Sequence, residues 1–267
     1  ITPEPEQPTT EMEWGDDGMD GFGVERRDRR WNSSMIGRDR NLPLSGRLDL
    51  RESNLKHLPF KYKGHKRYSY LNLSGNPINA LRFGKLGSAG ADTLMLNECG
   101  MSKCNRDCLP WYTRHLEVSQ NQLKTIPSDI ANLPKLRLLK MDHNQIKDIR
   151  ISFPSNLEYL DLGHNQISKV FNGSFKSCST NLEVLILDDN ALKKLPVAIR
   201  KCEALKRLDM SNNELSKFNC SPRHLPSLEK LDLRGNPISP VMVEQLQRTW
   251  KGVELLIDEP SIAEEIE

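Results

Sequence analysis

From Leu48 onward the chain repeats one arrangement of apolar and polar positions. An apolar residue, any residue, a second apolar residue, two of any kind, an Asn or a substitute, one more residue and a third apolar residue recur in phase. The nine instances are LDLRESNL (48–55), LNLSGNPI (71–78), LMLNECGM (94–101), LEVSQNQL (116–123), LKMDHNQI (139–146), LDLGHNQI (160–167), LILDDNAL (185–192), LDMSNNEL (208–215) and LDLRGNPI (231–238). The sixth position reads Ser53, Asn76, Cys99, Asn121, Asn144, Asn165, Asn190, Asn213 and Asn236, at spacings of 23, 23, 22, 23, 21, 25, 23 and 23 residues. Apolar residues two apart point to the same side of an extended segment, so each copy predicts a short strand with one buried face. The Asn amide can bond the backbone of the neighbouring turn, satisfying groups that stacking would otherwise bury unpaired. Stacked copies predict a parallel sheet over one continuous core. Cys99 fits the ladder as a small apolar residue with a weak donor, and Ser53 as a weaker member of an end repeat.

This pattern resembles the leucine-rich repeat superfamily over about 190 of the 267 residues. HLP at 57–59, TIP at 125–127 and KLP at 194–196, followed by SDIANL or VAIRKC, resemble the LPxxIxxLxxL stretch of intracellular signalling scaffolds. Repeats 2, 3, 5, 6 and 8 lack that proline, so the match is to a mixture of intracellular classes. The resemblance implies an α/β leucine-rich-repeat solenoid, a horseshoe with a concave parallel sheet and with short helices, 3-10 turns or loops on the convex side. In SPVMVEQLQRTW, Met242, Leu246 and Trp250 fall at i, i+4, i+8 with Val243 alongside, which predicts an amphipathic helix closing the end of the core. VELLID (253–258) reads as a final edge strand.

Leucine also marks a boundary. There are 37 in the chain and none before Leu42. Residues 1–20 carry seven acids and no base, whereas 21–40 carry six Arg against three acids, a composition that cannot offset its ordering entropy and predicts a flexible arm. Trp14, Phe22 and Trp31 interrupt it, either to dock on the first repeat or to order on a partner as a short linear motif. The expected organisation is an acidic then Arg-rich arm (1–41), repeats 1–9 (42–240), a cap (241–258) and an acidic tail or linker (259–267).

Charge and cysteine narrow the function classes. With 38 basic and 36 acidic residues the chain has no global electrostatic footprint for nucleic acid, which leaves room only for a local patch. No apolar run approaches 18 residues, so no membrane insertion is expected. The chain starts at Ile1 without a signal-peptide pattern and reads as a fragment or trimmed chain. Six Cys are too few for a disulfide scaffold, none precedes Cys99 and none follows Cys220. Extracellular leucine-rich proteins usually carry cysteine clusters at both ends, so the expectation is an intracellular, cytoplasmic protein. N-x-S triplets occur at Asn32, Asn72, Asn172 and Asn219, with Asn72 between two core leucines. Cys99, Cys104, Cys108 and His115 lack the usual zinc-knuckle spacing, and no metal or other cofactor is expected. There is no Gly-rich phosphate loop, no G-x-S-x-G and no H-E-x-x-H, so no enzyme activity is expected. RISF (150–153) resembles a phosphatase-docking motif, but Ile151 and Phe153 fall in the core phase of their repeat.

The positions around the paired apolar residues can be written as columns on the concave face, and four such columns hold ten acids and six bases. Most repeats display small polar residues there, as repeat 2 does with Asn72, Ser74 and Gly75. Repeats 5 to 7 instead combine Leu138, Tyr159, Val184 and Ile186 with Asp142, His143, His164, Asp188 and Asp189, and Lys140, Asp161 and Arg207 complete the patch. Apolar and aromatic residues rimmed by charge fit a protein interface. His143, His164 and Asp189 are also metal-ligand types, though a flat open sheet gives them no closed shell. The expected function is a non-catalytic protein-interaction module, an intracellular adaptor or scaffold holding a protein partner on the concave face, with the N-terminal arm docked on the solenoid or on a partner. The alternatives are the targeting region of a larger signalling enzyme (phosphatase, GTPase, kinase or cyclase) and an extracellular receptor ectodomain.

Overall fold

The structure, a computed structural model, describes residues 46–56, 67–78, 80–81, 90–104, 109–110 and 112–259, all within one compact unit that spans 32–267. The expectations for the arm with Trp14, Phe22 and Trp31, for HLP at 57–59 and for the last eight residues lie outside the described residues.

Among the described residues fourteen strands follow in chain order: β1 (Arg47–Asp49), β2 (Arg67–Asn72), β3 (Ala80–Leu81), β4 (Gly90–Met95), β5 (Lys103–Cys104), β6 (His115–Glu117) and β7 (Leu138–Lys140). The second half holds β8 (Asp148–Ile149), β9 (Tyr159–Asp161), β10 (Lys169–Val170), β11 (Val184–Ile186), β12 (Arg207–Asp209), β13 (Lys230–Asp232) and β14 (Glu254–Leu256). Ten of them form one parallel sheet in the order β1-β2-β4-β6-β7-β9-β11-β12-β13-β14. The first apolar residue of each copy pairs with the first of the next: Leu48 with Leu71, Leu71 with Leu94, and so on through Leu208 with Leu231. The series ends where Leu231 pairs with Leu255 in the expected edge strand. This register puts the leucines into one stack, buried in its interior and partly buried at its ends, Leu48 and Leu255, the fold expected from the sequence.

Behind the sheet the chain returns through 3-10 turns at Ser128–Asn132, Ile199–Lys201 and Pro222–His224, and through two short pairs of strands, β3 with β5 and β8 with β10. The first two turns follow Pro127 and Pro196, the prolines of TIP and KLP, and each buries an isoleucine, Ile130 or Ile199. Phe153 and Phe175 stack in the core with centroids 5.6 Å apart, and Ile151 packs against it, so RISF is committed to the fold. Helix α1 (Pro240–Thr249) buries Val243 and Leu246, and Trp250 follows it, edge-on to Phe218 at 6.0 Å. No helix among the described residues is long and apolar enough to cross a membrane.

The Asn ladder is in place. Asn121 Nδ2 donates to the Leu96, Val118 and Ser119 carbonyls, and its Oδ1 accepts from the Cys99 and Met101 N–H groups of the preceding repeat. Cys99 supplies only half of this, its thiol reaching the Leu73 carbonyl at 3.3 Å and the Asn97 carbonyl at 3.4 Å. With no side-chain acceptor above it, the Ile78 N–H turns back to the Asn76 carbonyl at 2.7 Å. Ile238, where the ladder runs out, does the same to Asn236. Cys104 is disulfide-bonded, which removes it as a metal thiolate, whereas Cys99, Cys178, Cys202 and Cys220 are free.

Candidate functional site

The face of the sheet turned away from the core carries the residues on either side of each core leucine. On β7, β9, β11 and β12 these are Leu138 and Lys140, Tyr159 and Asp161, Val184 and Ile186, and Arg207 and Asp209. In-register pairing sets Leu138, Tyr159, Val184 and Arg207 in one row and Lys140, Asp161, Ile186 and Asp209 in the next, with neighbours ~4.8 Å apart. The structure corrects the expected apolar strip. Leu138 and Val184 are 3% and 7% exposed, yet neither belongs to the core cluster, so flanking side chains cover them on the open face. Tyr159 and Ile186 remain half-exposed. Lys140 Nζ lies 5.8 Å from the centre of the Tyr159 ring.

The column directly before the ladder residue is not on the strands at all. Glu52, Glu98, Gln120, His143, His164, Asp189 and Asn212 all have φ between 47° and 55°, with Gly75 at 68° and Gly235 at 67°. Each is the left-handed corner that turns the chain off its strand, a conformation in which non-glycine residues are uncommon. The corner projects its side chain along the rim of the open face. Rings at successive corners meet there: His143 and His164 stack with centroids 4.1 Å apart. His143 Nδ1 lies 2.9 Å from Asp142 Oδ2, and Ser119 Oγ donates to the other oxygen of Asp142. His164 Nε2 is 3.5 Å from Asp188 Oδ2 and 3.7 Å from Asp189 Oδ2, and Asn212 Nδ2 donates to Asp189 at 3.2 Å.

Gly163 makes room for the centre of the patch. A Cβ there would collide with the Asp188 carboxylate and come within 3.4 Å of Asp161 Oδ1, so the missing side chain lets two carboxylates converge. Burial, then the charge of Asp142, pushes Asp161 up to about 7, against the pull of the Gly163 N–H, which donates to Asp161 Oδ1 at 3.0 Å. Burial and Asp209 push Asp188 up to about 6, partly offset by His164. Burial and Asp161 raise the Tyr159 phenol, which stays protonated at physiological pH. The patch is therefore a half-buried group of carboxylates around an aromatic and an aliphatic side chain.

The metal-type residues assemble differently from the expected row. His164, Asp188 and Asp189 bring ligand atoms within 4.8 Å of one another, and His143 is turned to Asp142 instead. Three donors on an open face fall short of a closed four-ligand shell. The sequence missed Gly163 and Ser119 as partners of the patch. Gly163 standing where the two flanking repeats carry Asp142 and Asp188 is the signal available for the first.

Family models described as Leucine rich repeat match residues 180–238 and 156–178. Osteomodulin from Bos taurus is 34% identical over 94 residues, covering 34% of this chain and 21% of its own. Serine/threonine-protein kinase 11-interacting protein from Homo sapiens is 29% identical over 167 residues, covering 57% of this chain and 15% of its own. A solved structure of TLR13 in complex with ssRNA13 superposes with a TM-score of 0.60 and 27% identity, over 73% of this chain and 28% of that one. The chain thus spans less than a quarter of either curated relative. Leucine-rich proteins of this kind serve mainly as non-catalytic protein-binding modules. The in-register leucine stack, the Asn ladder and these matches together make the chain a member of the leucine-rich repeat superfamily.

Proposed function

We propose that the chain is an intracellular adaptor or scaffold that seats a protein partner on the concave, open face of repeats 5 to 8. One observation carries this reading: Tyr159 and Ile186 stand half-exposed on adjacent strands, backed by Leu138 and Val184 and ringed by Asp142, Asp161 and Asp188. An aromatic and an aliphatic anchor inside a charged rim is the anatomy of a protein-binding hot spot. The carboxylates favour a partner that presents Lys or Arg beside an apolar side chain. The relative named as a kinase-interacting protein supports a protein as the partner. Four unpaired cysteines support a reducing compartment; Cys178 and Cys202 stay thiols, pushed up to about 12 by burial in successive repeats. A receptor ectodomain is the second reading, favoured by the disulfide at Cys104.

The test is affinity capture with the wild type and with a Tyr159→Ser/Ile186→Ser variant, followed by direct binding to the captured partner. Neither side chain points into the core, so circular dichroism of the variant stays unchanged. Its affinity falls by at least about 2 kcal/mol, or about 30-fold. Equal affinity moves the function off this face.

A further inference from the structure

A near-neutral net charge conceals a segregation that the fold creates. The carboxylates gather on the open face, before the ladder position in every repeat but the second. The residues just after the ladder collect lysine instead: Lys124, Lys147, Lys169, Lys194 and Lys217, one from each of repeats 4 to 8 and all exposed. Backbone bonds run between the segments that lead into these positions, Gln145 N–H to the Leu123 carbonyl, Gln166 to Ile146, Ala191 to Ile167 and Glu214 to Leu192, at 2.9 to 3.0 Å. The pairing of β8 with β10 sets Lys169 beside Asp148 and, one residue earlier, Ser168 beside Lys147. Lys124 and Lys147 stand three residues after the ladder Asn and Lys169, Lys194 and Lys217 four after it. The lysines therefore rise in two adjacent columns from chains ~4.8 Å apart, as a ridge two positions wide along one edge of the solenoid. None of the five makes an ion pair among the described residues. The two acids on the ridge are already neutralised, Asp148 by Arg150 at 2.8 Å and Glu214 by Lys193 at 3.7 Å.

An aromatic side chain completes the ridge. Phe171 is 63% exposed, the only aromatic among the large apolar residues that are exposed in the described structure. It stands two residues after Lys169, on the same side of the extended chain. Its N–H donates to the Ile149 carbonyl at 2.8 Å, which sets it beside Arg150. Its ring lies against Gly173, where a Cβ would come within 3.0 Å of it.

We infer that this ridge binds single-stranded nucleic acid. Lysine is depleted in protein interfaces, where Arg and aromatics dominate, but is a point-charge partner for phosphate. A nucleic-acid strand carries one phosphate per ~3.4 Å when stacked as in B-form and more widely when extended, a range that includes the pitch of the ridge. An exposed ring within a basic track is the stacking platform that strand-tracking sites use. Neutral Gln122, Gln166 and Ser168 fill the gaps between the cations and add hydrogen-bonding groups without sequence preference. The inference is independent of the partner proposed for the open face.

Fluorescence anisotropy of the whole chain with labelled U15 RNA and with dT15 DNA, between 50 and 250 mM NaCl, tests it. Binding is expected to weaken with a log–log salt slope of about −3.5, from five phosphates at roughly 0.7 each. Lys147→Glu/Lys169→Glu/Lys194→Glu should lower affinity at least tenfold at 100 mM NaCl and make the slope shallower by about 2. Phe171→Ala should weaken binding several-fold at an unchanged slope, and Tyr159→Ser should have no effect. Since all these positions are exposed or half-exposed, unchanged circular dichroism and Tm certify the fold. Tighter binding of U15 than dT15 assigns the site to RNA, and the reverse assigns it to DNA. The inference is overturned if the triple variant binds like the wild type, which puts any binding on the Arg-rich arm. It is equally overturned if poly-glutamate or a heparin oligosaccharide binds as tightly as U15 while Phe171→Ala has no effect.

Discussion

In repeats 4 to 8 a single Asn side chain bonds carbonyls of its own turn and of the preceding strand and, with its oxygen, an N–H of the turn before. Asn144 donates to the Val118, Met141 and Asp142 carbonyls and accepts from the Leu123 N–H at 3.0 Å. It is 8% exposed, whereas Asn190 makes the same set of bonds from a half-buried position. Removing the amide leaves these groups without a partner where water has little access. Asn144→Ala and Asn190→Ala should each destabilise by about 1 to 3 kcal/mol, Asn144→Ala by more. Urea midpoints at unchanged m-value measure this, and midpoints equal to the wild type would mean that the carbonyls find other donors. The Cys99 coil already shows such an adjustment, with the Ile78 N–H folded back on Asn76.

At the level of elements, the strands and the cap were legible because their information is local. A leucine pair two apart with an Asn three beyond defines both a strand and its end, and the constant phase of that motif, across spacings of 21 to 25 residues, predicts the register. The corners were not legible, since Glu52, Gln120 and His164 share no side-chain chemistry. Only Gly75 and Gly235 in the same column hinted at a positive φ, and the corner is imposed by the bonds on both sides. Burial of Leu138 and Val184 was also out of reach, because it comes from neighbours in other repeats and not from the alternation along one strand. Spacing along the chain thus predicts which side chains neighbour one another in the patch, but not that Leu138 and Val184 are covered. Helix α1 and Trp250 close the stack against Phe218, where the next repeat would otherwise be. Leu246→Ala/Trp250→Ala should open that edge, giving faster amide exchange in β12 to β14 and a tendency to aggregate, since end caps keep repeat arrays soluble. Unchanged exchange there would assign the closure of the core to β14 alone.

For the whole molecule, stacking turns a sequence with nearly balanced charge into one with separated faces, and the separation has a cost that pH exposes. Burial, then the charges of Asp142 and Asp188, push Asp161 up to about 7 from 3.8, offset in part by the Gly163 N–H and Lys140. In the unfolded chain the same carboxyl titrates near its ordinary value. Between pH ~4 and ~7 the folded protein thus holds a proton that the unfolded chain has lost, so stability falls as pH rises through that window and levels off above it. Asp188, pushed up to about 6, adds to the same slope over a narrower range. Asp161→Asn removes the ionisation but keeps an acceptor for the Gly163 N–H. The variant should match the wild type near pH 4, melt at a higher temperature at pH 8, and show a shallower dependence of Tm on pH in between. A Lys or Arg brought by a partner would favour the ionised carboxylate, so binding near pH 6.5 should release protons, and calorimetry in buffers of different ionisation enthalpy reads their number. Asp161→Asn should reduce both that release and the affinity. A variant no more stable than the wild type at pH 8 would show that Asp161 ionises at its ordinary value, and the open face would then offer a partner full negative charge across the physiological range.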